Sequence, residues 1–169
     1  MDYQLIRSDR RTISMEIKSG QVLVRAPKQL DSRAIDRFVA AHRGWAERHL
    51  AGQTRRRENH PEPDDALRAE YIRRAKAVLP GRLTYYGGLM GLHPTGLTIT
   101  GARTRFGSCS SAGRISFSWR LMQYPDAAVD YVVVHELAHL RYLNHGRDFY
   151  ALVEKTLPDY KAARKLLKE

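Results

Sequence analysis

The sequence predicts an α+β protein, and three observations carry that reading. One stretch near the N-terminus, at 13–17, and one at 114–120 alternate apolar and polar side chains with a period of two, and two further short stretches, 21–26 and 97–100, read as strands beside them. Several longer stretches repeat apolar residues at the 3.6-residue period of a helix. With 169 residues, 43% hydrophobic and 28% charged, the chain has the size and composition of one folded domain, which excludes wholesale disorder. The domain is taken to span 1–169: an N-terminal β-hairpin and a small mixed sheet packed on helices.

The elements follow in order. Ile13, Met15 and Ile17 share one side of an alternating strand, with Thr12, Ser14, Glu16 and Lys18 on the other. Ser19-Gly20 is a turn signal, and 21–26, with Val22, Leu23 and Val24, returns as the second strand until Pro27. Asp31 or Ser32 can cap one helix whose apolar set is Ile35, Phe38, Val39, Trp45, Ala46 and Leu50. His42 and His49 fall on that stripe and read as core or boundary residues. From 52 to 64 the chain is polar and contains Pro61 and Pro63; it reads as a surface connection, because neither flank is expected to build a core alone. A second helix runs from Asp65 through Leu67, Tyr71, Ala75, Val78 and Leu79. Pro80-Gly81 disturbs it, Leu83 and Tyr86 resume it, and Gly91 and Pro94 close it.

Strands are then predicted at 97–100 and 113–120, the second with Ile115, Phe117 and Trp119 on one face. Between them, 105–111 reads as a turn of small residues. Pro125-Asp126 starts a helix with Val129, Val132, Val133, Leu137 and Leu140 along it. A further helix holds Phe149, Leu152 and Val153; Pro158 interrupts, and 160–167 forms a basic terminal helix.

Charge and cysteine content bear on partners and compartment. Lys plus Arg (29) exceeds Asp plus Glu (18), a formal net charge of +11 spread over the whole chain, which attracts nucleic acid, nucleotides, acidic proteins or anionic surfaces. The one dense run, Arg55-Arg56-Arg57, is either a solvated loop or, with Arg73, Arg74 and Lys76, a set of anion or nucleic-acid contacts. A single Cys109 excludes an internal disulfide and predicts a reducing compartment. No apolar stretch approaches the roughly 20 residues of a membrane span, and the first residues lack the apolar run of a secretory signal. The expectation is a soluble cytoplasmic protein with no membrane partner.

The chemistry is concentrated in the 125–140 helix, where His135-Glu136-Leu137-Ala138-His139 forms an H-E-x-x-H motif. Four helical steps return both imidazoles to one face, a turn apart, so that two ring nitrogens can reach one Zn²⁺ at about 2.0–2.1 Å. Glu136 lies beside them, placed to act on the activated water rather than to bind the metal. A catalytic site wants three protein ligands and one open position, and His145 is the third candidate. The histidine spacing is that of metzincins, although Tyr142 stands where those proteins carry Gly. If the helix ends near Leu143-Asn144, then Asn144 and Gly146 still permit the turn. A His₃ site accepts other divalent ions besides Zn²⁺.

On these motifs the chain resembles the YgjP-like, zincin-type metallopeptidases of bacteria over nearly its full length. The matching stretches are 10–17 (RRTISMEI), 22–27 (VLVRAP), 104–111 (TRFGSCSS), 115–121 (ISFSWRL), 129–140 (VDYVVVHELAHL), Asn144-His145 and 149–168. Residues 52–95 match in outline. Family members usually carry Trp where Phe106 stands, and often a bulkier residue or Cys at Ala138. The resemblance implies a zincin-like α+β domain with a metal site of His135, His139 and His145 and with Glu136 as general base. A similar helix occurs in SprT-like proteases, an analogy of motif alone.

The turn carrying Arg105, Ser108 and Cys109 either lines the cleft and contacts substrate or packs closely behind the metal helix. Cys109 is either a further ligand or inhibitory thiolate, or a small apolar filler. Asp126 and Asp130 favour the positive helix N-terminus. Tyr124, Tyr142 and Tyr150 are possible oxyanion donors, and the sequence does not choose among them. The 114–120 strand, with Ser116 and Ser118, is expected to be the sheet edge to which an extended peptide adds. The leading reading is a zinc metallopeptidase acting on a protein or peptide. Its alternatives are a metal-dependent nucleotide phosphohydrolase and a basic nucleic-acid-binding module with a structural metal. Oligomeric state is not encoded legibly.

Overall fold

Residues 1–18 and 20–168 are described by the structure, a computed structural model; the side chains of Arg56 and Arg57 are not described. The chain gathers into two compact units, Met1–Pro61 and Glu62–Glu169. Each has its own apolar cluster, which departs from the expectation that neither side of the 52–64 segment builds a core alone. The first is small, built from Val22, Val24, Ala26, Ile35, Val39 and Ala46; the second holds most of the buried residues of the chain.

In the first unit, β2 (Ser14–Lys18) and β3 (Gln21–Pro27) form the expected antiparallel hairpin. Ser19 of its turn signal lies outside the described residues, and Gly20 takes φ 80°, which suits a residue without a Cβ. An additional strand, β1 (Gln4–Ser8), lies parallel to β3, so the sheet order is β1-β3-β2. The expected single helix is two, α1 (Ser32–Ala41) and α2 (Arg43–Asn59). The break falls at His42, whose N–H is shared between the Phe38 and Val39 carbonyls at 3.1 and 3.2 Å. His42 and His49 are exposed, not core, each resting against an aromatic ring one turn earlier (Phe38 and Trp45, centroids 4.1 and 4.3 Å apart). The polar stretch after Gly52 continues as helix to Asn59, because it contains no breaker before Pro61.

The second unit begins with α3 (Asp65–Met90), capped by the Asp64 side chain accepting from Leu67 N at 2.8 Å. Pro80 does not interrupt it. The lost hydrogen bond is offset by the buried stripe of Ala75, Leu79, Leu83, Gly87 and Met90, which holds both halves to one core. Gly91 closes the helix at φ 65°. A second three-stranded sheet follows, from β4 (Gly96–Thr100), β5 (Gly107–Cys109) and β6 (Arg114–Ser118), in the order β4-β6-β5. β4 is parallel to β6 and β5 antiparallel to it. Two expectations change here. The small-residue turn is a strand, and the 114–120 segment is the central strand and not an edge; it leaves the sheet at Ser118 for a 3-10 turn (Trp119–Gln123). The helices α4 (Asp126–Ala138), α5 (Arg147–Thr156) and α6 (Tyr160–Leu166) complete the unit. Among the described residues no helix is long and apolar enough to cross a membrane.

Candidate metal centre

α4 is anchored at its N-terminal end, by contacts that leave its C-terminal turn free for chemistry. Asp126 and Asp130 stand at its N-terminal end as expected, and both also bind the Arg82 guanidinium, Asp126 at 3.0 Å. Three consecutive valines (132–134) are poor helix formers, yet each is buried, so packing overrides propensity. The helix ends at Ala138, earlier than Leu143-Asn144. The chain then reverses through Leu140 N to Leu137 O (3.0 Å) and Tyr142 N to Ala138 O (2.9 Å), and this reversal returns His145 to the helix end.

The three imidazoles converge. His145 Nε2 lies 3.1 Å from His139 Nε2 and 3.1 Å from His135 Nε2, and all three ligand atoms fall within 4.8 Å of one another. Nitrogens about 2.0–2.1 Å from one tetrahedral ion stand roughly 3.3 Å apart, so the donor set fits a metal. The outer nitrogens support this. His139 Nδ1 lies 2.9 Å from the Tyr142 carbonyl, which only accepts, so Nδ1 carries the proton and Nε2 offers its lone pair inward. His135 Nδ1 lies 3.3 Å from the Tyr131 hydroxyl. Beneath all three rings lies Phe149, fully buried, with centroid distances of 4.9, 4.7 and 4.8 Å to His135, His139 and His145.

The electrostatics disfavour the charged form of two of the rings, His135 and His145. Burial pushes His135 down to about 3, with His139, His145 and Arg164 adding to the effect. His145 is lowered by burial, His139 and Arg164. Glu136 behaves oppositely: it is 6% exposed, and burial pushes its carboxyl up to about 7 against the pull of Arg105. It can sit so deep because of Gly107 on β5. A Cβ at that position would lie 2.6 Å from both Glu136 Cγ and Oε1 and 2.8 Å from Cδ, closer than real side chains approach.

Other expected residues distribute unevenly. Arg105, Ser108, Ser116 and Ser118 line one small pocket. Cys109 is half-buried, its thiol raised by burial and by Glu136, and it does not join the histidine cluster. Tyr124 is buried edge-on against Phe106, Tyr142 contributes its carbonyl, and the Tyr150 ring lies 6.3 Å from that of His145. Arg55 lies on α2 and Arg73 and Arg74 on α3, with Arg74 3.7 Å from Asp126; the side chains of Arg56 and Arg57 lie outside the description. Three residues at the centre escaped sequence reasoning as participants. Tyr131 and Phe149 are apolar positions of their helices like any other, whereas a Gly inside a strand does signal a close approach and was the available clue to Gly107.

A family model described as "YgjP-like, metallopeptidase domain" matches residues 11–66 and 52–169. A search of the curated proteins returned no match. Among solved structures, the chain is similar to the crystal structure of the metallopeptidase zymogen of Pyrococcus abyssi abylysin. The two share 21% identity at a TM-score of 0.46, over 53% of this chain and 88% of that one. So distant a likeness carries no argument.

Proposed function

The chain belongs to the YgjP-like family of metallopeptidase domains, and from that premise we propose that it is a zinc-dependent peptidase in which His135, His139 and His145 hold the metal and Glu136 is the general base. The observation that carries the reading is the convergence of three Nε2 atoms at the end of α4, with a buried carboxylate between two of them in sequence. Zn²⁺ in such a site supplies a Lewis acid that polarises a carbonyl and acidifies water. The chain's residues supply the rest. Glu136, held against Gly107, takes a proton from the attacking water and returns it to the leaving amine. Tyr131 and the Tyr142 carbonyl fix two rings through their outer nitrogens, and Phe149 supports all three from below.

The docking edge moves from β6 to β5. Phe106 O accepts from Ser118 N at 2.8 Å, and Ser110 N donates to Arg114 O at 2.9 Å, so these residues bond inward to β6. By antiparallel alternation the N–H and C=O groups of Gly107 and Cys109 point outward, beside Glu136. An extended peptide added there meets main-chain partners next to the general base. The nucleotide reading rests on charge and on the ability of an activated water to attack phosphorus, and the nucleic-acid reading rests on charge.

Metal stoichiometry of the wild type, His135→Ala and His145→Ala, measured beside a protein-cleavage assay, tests the site. Each His variant is expected to lose metal and cleavage together. Glu136→Gln is expected to keep its metal and lose about 10²- to 10⁴-fold in turnover. Undiminished turnover in that variant refutes the assignment of the base.

A further inference from the structure

The second sheet turns a row of hydroxyls away from α4. Thr98 pairs with Ser116 and Ser116 with Ser108, while Thr100 pairs with Ser118, so these side chains share the face opposite Ile115 and Phe117. Four of them, Thr100, Ser108, Ser116 and Ser118, wall a small pocket whose remaining polar wall is Arg105. No carboxylate lines it. Ser118 is 1% exposed and fixed, donating to the Ala102 carbonyl at 2.7 Å and accepting from Arg120 N at 3.3 Å. Arg105 makes no side-chain ion pair or hydrogen bond among the described residues, although its field reaches Glu136. Thr100 and Ser118 already donate to the Phe117 and Ala102 carbonyls, at 3.4 and 2.7 Å, so the donors left to a ligand are the Ser108 and Ser116 hydroxyls and the Arg105 guanidinium, a set that matches a carboxylate in charge and in hydrogen-bonding sense. A chain of net charge +11 adds a general attraction for such ligands.

We propose that this pocket is a specificity subsite that accepts an Asp or Glu side chain of the peptide substrate. The proposal rests on the peptidase reading and on docking at β5. Side chains of an added strand alternate between the two faces of the sheet. A residue opposite Gly107 or Cys109 points toward α4 and Glu136, and the neighbour opposite Ser108 points to the hydroxyl face and its pocket. The preference therefore belongs to a single position flanking the reacting bond.

The test separates binding from hydrolysis. A single Glu walks through a neutral eight-residue fluorescent peptide, each version paired with its Gln twin, and anisotropy reports binding to zinc-loaded Glu136→Gln protein. One position is expected at which the Glu peptide binds about five- to tenfold tighter than its twin. Adding Arg105→Glu should reverse the preference there in favour of Lys. Arg33→Glu, the same charge change on the exposed surface of α1, should leave it intact. Equal affinity within every Glu/Gln pair, no binding by any Glu peptide, or a preference that survives Arg105→Glu overturns the subsite. Failure of the wild-type protein to cleave any of these peptides counts instead against the peptidase reading, since the affinity comparison does not need turnover.

Discussion

The two sheets have one topology and two outcomes. In each, the second and third strands form an antiparallel hairpin and the first strand lies parallel to the third, giving β1-β3-β2 and β4-β6-β5. They differ at the antiparallel edge. β2 turns Met15 and Ile17 toward the small core and presents Glu16 and Lys18 outward, a charged rim that discourages further pairing. β5 is three small uncharged residues, Gly107, Ser108 and Cys109, laid against α4 and Glu136. The same scaffold closes a core in one place and leaves open backbone beside a reactive carboxylate in the other. Composition of the edge, not topology, makes the difference.

The largest expected effect breaks that contrast directly. Gly107→Val restores to β5 a branched side chain of the kind that ordinary strands carry. Its Cβ would meet Glu136 at 2.6 Å, so the carboxylate must leave its seat. Turnover is expected to fall about 10²- to 10³-fold, while metal content holds because the three imidazoles are untouched. Full turnover in this variant would show that the small residues of β5 serve something other than Glu136.

A smaller effect sharpens the chemistry of the second unit. Tyr131→Phe removes the hydroxyl 3.3 Å from His135 Nδ1 and leaves that ring oriented by packing alone. Metal affinity, read by competition with a chelator, is expected to weaken about tenfold. Unchanged affinity would assign the orientation of His135 to Phe149. His139 provides the internal reference, because its outer nitrogen is held by a main-chain carbonyl that no substitution removes.

What the sequence made legible follows the same division. The α4 motif was readable because helical geometry alone places His135 and His139 on one face, and the spacing to His145 leaves room for a reversal. The hairpin was readable from alternation and a turn. The residues that failed were decided by tertiary context. β1 has too few apolar residues to announce itself, and β5 has none of the β-branched residues that mark strands. Pro80 reads as a breaker locally, yet a buried stripe carries the helix through it. The break at His42 falls inside one continuous apolar stripe, so periodicity does not mark it. The edge assigned to β6 failed for a related reason: alternation identifies a strand but not its neighbours on either side.

The smallest expected effect lies in the first unit. Glu16 on β2 and Arg25 on β3 are paired at 3.1 Å, with their side chains 48% and 41% exposed. Glu16→Gln keeps the volume and an acceptor and removes only a charge already screened by water. The loss of stability, measured by denaturant unfolding, is expected to stay below about 1 kcal/mol. Turnover is expected to be unchanged, because nothing in the first unit's sheet corresponds to the open edge of β5. A fall in turnover at unchanged stability would mean that the charged rim of β2 acts on the substrate. The two sheets would then share the work that their edge residues assign to one.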